Sequence, residues 1–231
     1  MTEWIDYLVK PYESYSYTQI CLEIIATFFG LLSVIFSMLK KVWVFPTGMI
    51  STAIYVYLLF NWGLYGDTMI NAYYFIMSVY GWYFWMYGVE EHEASVSIMN
   101  RDEKKQAVYL FFSTIVFVLF VYYFKPYIEN GFESSSLARL TFQYDWIQCV
   151  DAVTTAIFFV GMWLMARKKV ENWLFWIVGD LISVPMYLVK GYGITAGQYF
   201  VFIIPAVIGF IFWYRDYKKT KNHLIININQ L

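Results

Sequence analysis

The chain has 231 residues, of which 60% are hydrophobic, 23% are aromatic and only 14% are charged. Soluble domains carry roughly 25% charged residues, so this composition argues against a soluble globular protein. The formal net charge of −1 gives no reason to expect a nucleic-acid partner, which would need a basic surface.

Residues 1–17 hold four charged side chains and lack the apolar stretch of a cleavable signal peptide. Beyond them, seven apolar runs of about twenty residues cover almost the whole sequence, and a run of that length spans a hydrocarbon core about 30 Å thick. We therefore predict an all-α integral membrane protein with seven transmembrane helices at residues 18–39, 43–61, 66–87, 106–124, 146–166, 173–190 and 195–214. Cys21 and Cys149 fall within these runs and are expected to be buried filler residues rather than a disulfide or a metal site.

Two parts of the chain repeat each other. Residues 17–87 align with residues 145–215 at a constant shift of 128, without a gap, and 13 of the 71 positions are identical. The identities include a shared Lys-Lys-Val segment, which begins at Lys40 and at Lys168, and a shared Gly-x-x-Phe-Trp ending, which begins at Gly81 and at Gly209. Two like bundles that face each other form a central crevice, which is how many secondary carriers are built.

The repeats predict a 3-1-3 arrangement, with one three-helix unit at 18–87 and a second at 146–214. A unit of three spans reverses the direction of the chain, and a linker helix restores it, so the two repeats are parallel. We expect residues 88–124 to form a solvated cytoplasmic loop followed by this linker helix. The aromatic side chains of the linker helix are expected to face lipid or a neighbouring subunit.

Basic residues are distributed unevenly between the two sides of the predicted bundle. The N-terminus, the turns at 62–66 and 190–195 and the loop at 125–145 carry four Lys and Arg residues, and the other side carries twelve, which together make the 16 of the chain. The positive-inside rule then places the N-terminus outside and the C-terminus in the cytoplasm. Residues 1–17 and 125–145 are accordingly expected to be extracytoplasmic, and residues 215–231 to form a loosely ordered, basic cytoplasmic tail beside membrane lipid.

Polar side chains inside the predicted spans lie on single helical faces. In the third span Asp67, Asn71, Tyr74, Ser78 and Trp82 follow one another at steps of three or four, and the sixth span has a similar stripe. Such polar groups are costly in lipid unless they face a cavity or bond a neighbouring helix. We assign them to a shared cavity, with Asn71, Tyr74, Trp82, Gln148, Asn172, Trp173, Trp176, Asp180, Tyr187 and Gln198 as candidate ligand-binding residues.

Glu23 and Asp151 occupy equivalent places near the ends of their spans. They are candidates for a gate or for proton exchange, with plain interfacial carboxylates as the alternative. Trp and Tyr rings beside a few amides and carboxylates suit a flat heterocycle, and the carboxylates favour a cationic one. The second repeat is the more polar of the two, so we expect the ligand to lie closer to the last three spans.

Catalytic chemistry has no support in the sequence. The predicted spans contain no histidine, and no nucleotide-binding loop, nucleophile elbow or zinc-protease motif occurs, so we expect neither an enzyme nor a cofactor or metal site. A receptor that binds a ligand without moving it is the remaining alternative to a transporter.

The residues at the ends of the repeats carry a resemblance. The segment from Gly81 to Trp85, the run Glu171-Asn172-Trp173-Leu174-Phe175-Trp176 and the pair Gly209 and Trp213 resemble the PnuC-type vitamin transporters of bacteria, which are distantly SWEET-like. This resemblance implies facilitated diffusion of nicotinamide riboside across the bacterial inner membrane, with trapping by cytoplasmic phosphorylation and a plausible homotrimer. Thiamine or another vitamin of the same family, with or without proton coupling, is the alternative that the sequence leaves open.

Overall fold

The computed structural model describes residues 15–62, 65–87, 95–133 and 143–228. In these ranges the chain forms seven helices, which confirms the all-helical prediction: α1 (Tyr17–Met38), α2 (Val44–Asn61), α3 (Tyr65–Tyr87), α4 (Arg101–Glu129), α5 (Trp146–Ala166), α6 (Asn172–Val189) and α7 (Gly193–Ile228). The predicted first repeat corresponds to α1–α3, the linker helix to α4 and the second repeat to α5–α7.

Six of the described helices, all except α3, are long and apolar enough to cross a membrane. Seven such helices are predicted. With 23 residues α3 has the necessary length, but it carries Asp67, Asn71 and Ser78 along its polar stripe. Those side chains lower its hydropathy, although the helix packs against α2 and α5 within the bundle.

The first helix of each repeat begins with the same kind of cap. The side chain of Ser16 accepts from the backbone N–H of Gln19 in α1, and the side chain of Asp145 accepts from Gln148 in α5; in each case the glutamine bonds back to the capping residue. A capping box satisfies backbone donors that the first turn of a helix leaves free, and losing such a cap costs about 1 kcal/mol. Both helices therefore start at positions that the local sequence fixes.

The turns that follow α1 and α5 have the same backbone geometry. Lys40 and Lys168, 128 residues apart, both have positive φ, at 56° and 54°. The next residue in each turn donates its backbone N–H five residues back, from Lys41 to Phe36 and from Lys169 to Leu164, both at 2.9 Å. The repeated Lys-Lys-Val segment thus closes the two helices in the same way.

The last helix of each repeat also packs in a repeated manner. A Cβ atom on Gly81 would lie 2.3 Å from the ring of Phe45, and one on Gly209 would lie 2.5 Å from the ring of Trp173. Phe45 and Trp173 are themselves 128 residues apart. Glycine is therefore required at both positions for α3 to approach α2 and for α7 to approach α6.

Two indole hydrogen bonds join the repeats to each other reciprocally. Trp85 Nε1 in α3 donates to Ala166 O at the end of α5 over 2.9 Å, and Trp213 Nε1 in α7 donates to Ser37 O at the end of α1 over 3.0 Å. In the same sense α3 packs against α5, and α7 packs against α1. We call this end of the bundle the Trp213 end and the opposite end the Lys190 end.

Several other expectations are wrong. The basic tail continues α7 as helix to Ile228. Residues 95–100 are only partly solvated, because Val96 is 4% exposed while Ile98 is 46% exposed. Cys21 and Cys149 are exposed rather than buried, since both lie on outward helical faces. The first residues of the predicted 125–145 loop belong to α4, which ends at Glu129. The expectations for residues 1–14, 88–94, 134–142 and 229–231 lie outside the described ranges.

Candidate functional site

A cavity of about 330 Å³ lies between the two repeats. Its lining comes from α1, α2 and α3 on one side and from α5, α6 and α7 on the other, together with a few residues of the adjoining turns. Within the described part of the chain, α4 contributes no lining residue. The cavity is therefore a property of the six helices that the duplication relates.

The lining follows the duplication residue by residue. Of its 38 members, 30 form fifteen pairs at the shift of 128. The pairs are Glu23/Asp151, Thr27/Thr155, Gly30/Phe158, Val34/Met162, Ser37/Met165, Gly48/Trp176, Thr52/Asp180, Tyr55/Ser183, Leu59/Tyr187, Trp62/Lys190, Asp67/Thr195, Ile70/Gln198, Asn71/Tyr199, Tyr74/Phe202 and Ser78/Ala206. Equivalent faces of the two repeats thus point at the same space.

The paired positions differ strongly in chemistry. Where the first repeat has Gly30 and Gly48, the second has Phe158 and Trp176. A Cβ atom on Gly30 would lie 3.1 Å from Ser51 Oγ, and one on Gly48 would lie 3.1 Å from Ser33 Oγ, so both glycines sit where α1 and α2 approach each other closely. The two halves of the cavity are thus equivalent in position but differ in side-chain volume, with the large rings on the second repeat.

Aromatic rings form a continuous wall on the second repeat. The ring centroids of Phe158 and Trp176 are 5.6 Å apart, those of Phe158 and Tyr199 are 5.9 Å apart at 16°, and those of Tyr187 and Tyr199 are 5.1 Å apart at 20°. The first repeat adds Tyr74, whose ring meets Trp176 at 5.9 Å and 62°. Offset and edge contacts of this kind leave ring faces available for stacking with a flat ligand.

Among the residues that the structure describes, the charged lining consists of four carboxylates and one lysine. Lys190 Nζ lies 3.3 Å from Asp151 Oδ1, and the Tyr187 hydroxyl donates to Asp67 Oδ1 over 3.0 Å. Asp180 is only 4% exposed, and it makes no hydrogen bond within the part of the chain that the structure describes. A carboxylate in such a position is costly unless a cation, a proton or water meets it in the cavity.

Other polar atoms of the lining are also unsatisfied. Within the described residues, Trp173 Nε1, Ser183 Oγ, Ser37 Oγ and Trp62 Nε1 are buried without a hydrogen-bond partner. Buried polar groups are normally bonded, so each of these atoms is a candidate contact for a ligand or for water. The two indole nitrogens can only donate, and the two hydroxyls can donate or accept.

The Trp213 end of the cavity is filled by aromatic side chains. Trp173 packs edge-on against Trp213 at 5.6 Å, and Phe45 packs edge-on against Trp85 at 5.0 Å. The rings of Trp85 and Trp213 lie 6.3 Å apart and connect the two pairs. The two pairs are equivalent to each other, since Phe45 corresponds to Trp173 and Trp85 corresponds to Trp213 at the shift of 128. The duplication therefore also builds this closure.

Most of the candidate residues lie at the cavity. Nine line it: Asn71, Tyr74, Trp173, Trp176, Asp180, Tyr187 and Gln198, together with the two gate candidates Glu23 and Asp151. The other three candidates, Trp82, Gln148 and Asn172, do not line the cavity, so the prediction that their side chains face it is wrong.

Local contacts explain the three exceptions. Asn172 is fully buried, but its Nδ2 bonds back to Lys169 O in the preceding turn over 2.5 Å. The side chain of Gln148 is used in the capping box of α5. Trp82 is 42% exposed, because 15 residues after Asp67 (82 − 67) the face of a helix has turned by about 60°.

Phe158 and Lys190 are among the lining residues that are not predicted from the sequence. Phe158 continues the face of Asp151 and Thr155 at steps of four and three, which is a usable signal. Lys190 follows Tyr187 by one helical turn and lies over its ring at 5.1 Å. Because Lys190 directly follows the last residue of α6, its position in the sequence indicates only a solvated charge at the membrane surface.

Comparisons with known proteins agree with this architecture. The chain is 24% identical over 210 residues to the nicotinamide riboside transporter PnuC of Escherichia coli, covering 86% of this chain and 87% of that protein. It is 23% identical over 181 residues to the riboflavin/roseoflavin transporter RibM of Streptomyces davaonensis, covering 78% of each. A crystal structure of the vitamin B3 transporter PnuC matches with a TM-score of 0.60 at 22% identity, over 94% of this chain and 90% of that chain.

The family model for the nicotinamide mononucleotide transporter matches residues 20–215, which include every helix that lines the cavity. Its relatives are membrane transporters and not enzymes. The chain therefore belongs to the nicotinamide mononucleotide transporter family of multi-pass membrane transporters.

Proposed function

We propose that this protein carries a small, water-soluble aromatic vitamin across the bacterial inner membrane, and that the vitamin is nicotinamide riboside. The curated relatives include carriers of nicotinamide riboside and of riboflavin, so a vitamin is the common substrate class. The single observation that carries the choice is the cavity, which combines an aromatic wall with an excess of carboxylates.

The charge of the cavity favours a cation over a neutral vitamin. Four carboxylates face one lysine, and Asp180 lies next to the ring wall without a partner among the described residues. A pyridinium ring carries its positive charge within a flat aromatic system, so it can stack on Trp176 and pair with Asp180 at the same time. The flavin ring system lacks that charge and gains nothing from the carboxylate.

The size of the cavity points the same way. Small-molecule pockets span roughly 300–1,000 Å³, and the cavity of about 330 Å³ is at the low end. One aromatic ring with a ribose fits such a volume better than three fused rings with a ribityl chain. Asn71 and Gln198, which line the cavity from α3 and α7, are suited to the hydroxyls and the carboxamide of nicotinamide riboside.

The mechanism we infer is facilitated diffusion by alternating access. The two three-helix repeats of a 3-1-3 arrangement would open the cavity first at one end and then at the other, with the N-terminus outside and the C-terminus in the cytoplasm. The unequal distribution of Lys and Arg supports this orientation. Phosphorylation of the vitamin in the cytoplasm would make net uptake downhill, and a trimer is the assembly we expect.

Uptake by purified protein in liposomes tests the proposal. Labelled nicotinamide riboside should enter without ATP or an ion gradient, and unlabelled nicotinamide riboside should compete at least tenfold better than riboflavin. Thiamine, which also has a cationic ring, is the informative competitor. A preference for thiamine would move the substrate assignment within the same class, whereas a preference for riboflavin would contradict the charge argument.

The alternative mechanism is proton-coupled transport, which the carboxylates of the cavity lining support. Asp180, Glu23 and Asp151 all line the cavity, and a proton could accompany the vitamin on any of them. Under facilitated diffusion, an imposed pH gradient should leave the final level of uptake unchanged. Accumulation above the external concentration, driven by that gradient, would establish coupling instead.

A further inference from the structure

A strap of residues 95–100 lies across the turn between α5 and α6. Ser97 N donates to Lys168 O over 3.2 Å, and Val170 N donates to Ser97 O over 2.9 Å, as in a short parallel ladder. Val96 is buried in one cluster with Val170, Trp173 and Trp213. The strap therefore packs directly behind the rings that close the Trp213 end of the cavity.

Ionic contacts reinforce the strap. Glu103, at the start of α4, lies 2.8 Å from Lys169 Nζ and 3.7 Å from Arg167, and its side chain is only 6% exposed. Met99 N donates to Glu171 Oε1 over 2.9 Å. Removing one partner of a buried ion pair leaves an uncompensated charge, so these contacts resist separation of α4 from the turn.

The rest of α4 follows α5 along its length. Ala107 near its start packs against Val160 and Leu164. Near its other end, the Tyr122 hydroxyl donates to the carboxylate of Asp151, which also accepts from Lys190. Contacts in the first turns of α4 and near its other end thus fasten it to the second repeat.

The equivalent turn of the first repeat is much less enclosed. Val170 is 2% exposed, whereas its counterpart Val42 is only partly buried, and the adjacent Trp43 is 61% exposed. The turn reaches the second repeat through an ion pair between Lys40 and Asp216 of α7, and both of those side chains are more than one-third exposed. An exposed ion pair contributes little to stability, so this contact can break and re-form at little cost.

We infer that α4–α7, held together by the strap, form a stationary body, and that α1–α3 move against it when the Trp213 end of the cavity opens. This inference rests on the proposed alternating access, which requires some part of that end to move. The parts with few enclosed contacts move at the lowest cost. At this end they are the turn after α1 and α1 itself, of whose most apolar stretch only 11% is buried. Duplication alone predicts that both repeats move to the same extent. The strap restrains only the second repeat, so the two repeats differ in how freely they move.

Two matched cross-links test the inference in a Cys21→Ser/Cys149→Ser background. Ser97→Cys with Lys169→Cys joins the strap to the α5–α6 turn, and Lys40→Cys with Asp216→Cys joins the α1–α2 turn to α7. Each pair is bridged in liposomes by the same cleavable bifunctional thiol reagent. Bridging the first pair should change the uptake rate less than twofold, and bridging the second should lower it at least tenfold until the bridge is reduced.

Equal inhibition by both bridges, or no inhibition by the second, would overturn the inference. Uptake by the unbridged parent reports on the proposed function separately.

A second measurement needs no transport. Single cysteines in place of Val42 and Val170 occupy equivalent positions, and the Val42 variant should react with a small maleimide at least tenfold faster. Adding Glu103→Gln should raise the reactivity of the Val170 variant at least fivefold and leave the Val42 variant unchanged. A Val170 thiol that reacts as fast as the Val42 thiol contradicts a stationary second repeat, whatever the protein carries.

Discussion

α1 and α5 occupy equivalent places in the two repeats, yet their surroundings differ. In the most apolar 18-residue stretch of each helix, 11% of the residues of α1 are buried, against 78% of those of α5. Both helices end in the same turn, and both line the cavity with equivalent faces. The difference arises because α4 packs on α5, while much of the corresponding face of α1 is left for lipid or another subunit.

The comparison teaches that duplication copies the helix packing and the turns of a repeat, and leaves its outer face and the side chains at the cavity free to change. The paired glycines and the reciprocal indole bonds are on the inside of the bundle, and the paired turns share one backbone geometry. Most of the aromatic wall lies on the second repeat, and the strap and α4 pack against that repeat. We expect substitutions at paired positions to separate what the repeats share from what only one of them does.

The largest effect should come from a feature that the repeats share. Gly81→Ala and Gly209→Ala would each place a methyl group within about 2.5 Å of a ring, and overpacking of this kind costs about 3 kcal/mol at the upper end of its range. Both variants should lose stability to a similar degree in thermal unfolding in detergent. Gly197→Ala is the control, since nothing lies within 4 Å of a Cβ at that position. A loss in only one of the two variants would mean that the repeats are not packed alike.

Much of this shared framework could be predicted from the sequence. The apolar runs predict the bounds of α1, α2, α3, α5 and α6 to within one residue, but they miss both ends of α4 and the polar extension of α7 to Ile228. The Gly-x-x-Phe-Trp endings lie where α3 approaches α2 and α7 approaches α6. The unequal outer faces could not be predicted in this way, because burial of Val96 depends on contacts with residues such as Val170 and Trp213 that are distant in sequence.

The site was only partly predictable for a related reason. Helical periodicity identifies the face that carries Asp180 and Tyr187, but it does not say what a side chain at the end of a helix does. The side chain of Asn172 donates to the backbone carbonyl of Lys169 in the preceding turn, and the side chain of Gln148 takes part in the capping box of α5. The Gln148 contact has a recognisable sequence signature, because Asp145 lies three residues earlier. That spacing predicts a capping box at the start of α5, and not a side chain that lines the cavity.

The next largest effect should distinguish the repeats at a paired polar position. Asp180→Asn removes the carboxylate beside the aromatic wall, and a hydrogen bond or ion pair to a charged group is worth about 1.5–3 kcal/mol. The affinity for nicotinamide riboside should fall about 10- to 100-fold in isothermal titration calorimetry. Thr52→Val at the equivalent position should cost less than threefold, because the Thr52 hydroxyl bonds Gly48 O within its own helix. Equal losses in both variants would contradict a cation site on the second repeat.

A smaller loss is expected from the aromatic wall itself. Trp176→Ala removes a ring of the aromatic wall that contacts both Phe158 and Tyr74, and stacking on an aromatic side chain contributes about 1–3 kcal/mol per ring. The affinity should fall roughly tenfold in the same titration. The control is Trp82→Ala, which removes an exposed indole of the first repeat and should change the affinity less than twofold. If Trp82→Ala weakened binding as much as Trp176→Ala, the cavity assigned here would not be the binding site.

The smallest effect concerns the two equivalent carboxylates at the Lys190 end. Asp151 is paired with Lys190 and accepts from Tyr122 of α4, whereas Glu23, in the first repeat, has no such ion pair within the described residues. Asp151→Asn should therefore reduce stability by about 1 kcal/mol, because it leaves a partly enclosed lysine without its counter-ion. Glu23→Gln should leave the unfolding temperature unchanged within the error of the measurement. Two equal losses of stability would show that α4 does not distinguish the repeats at this end, and would limit the stationary body to the strap and the α5–α6 turn.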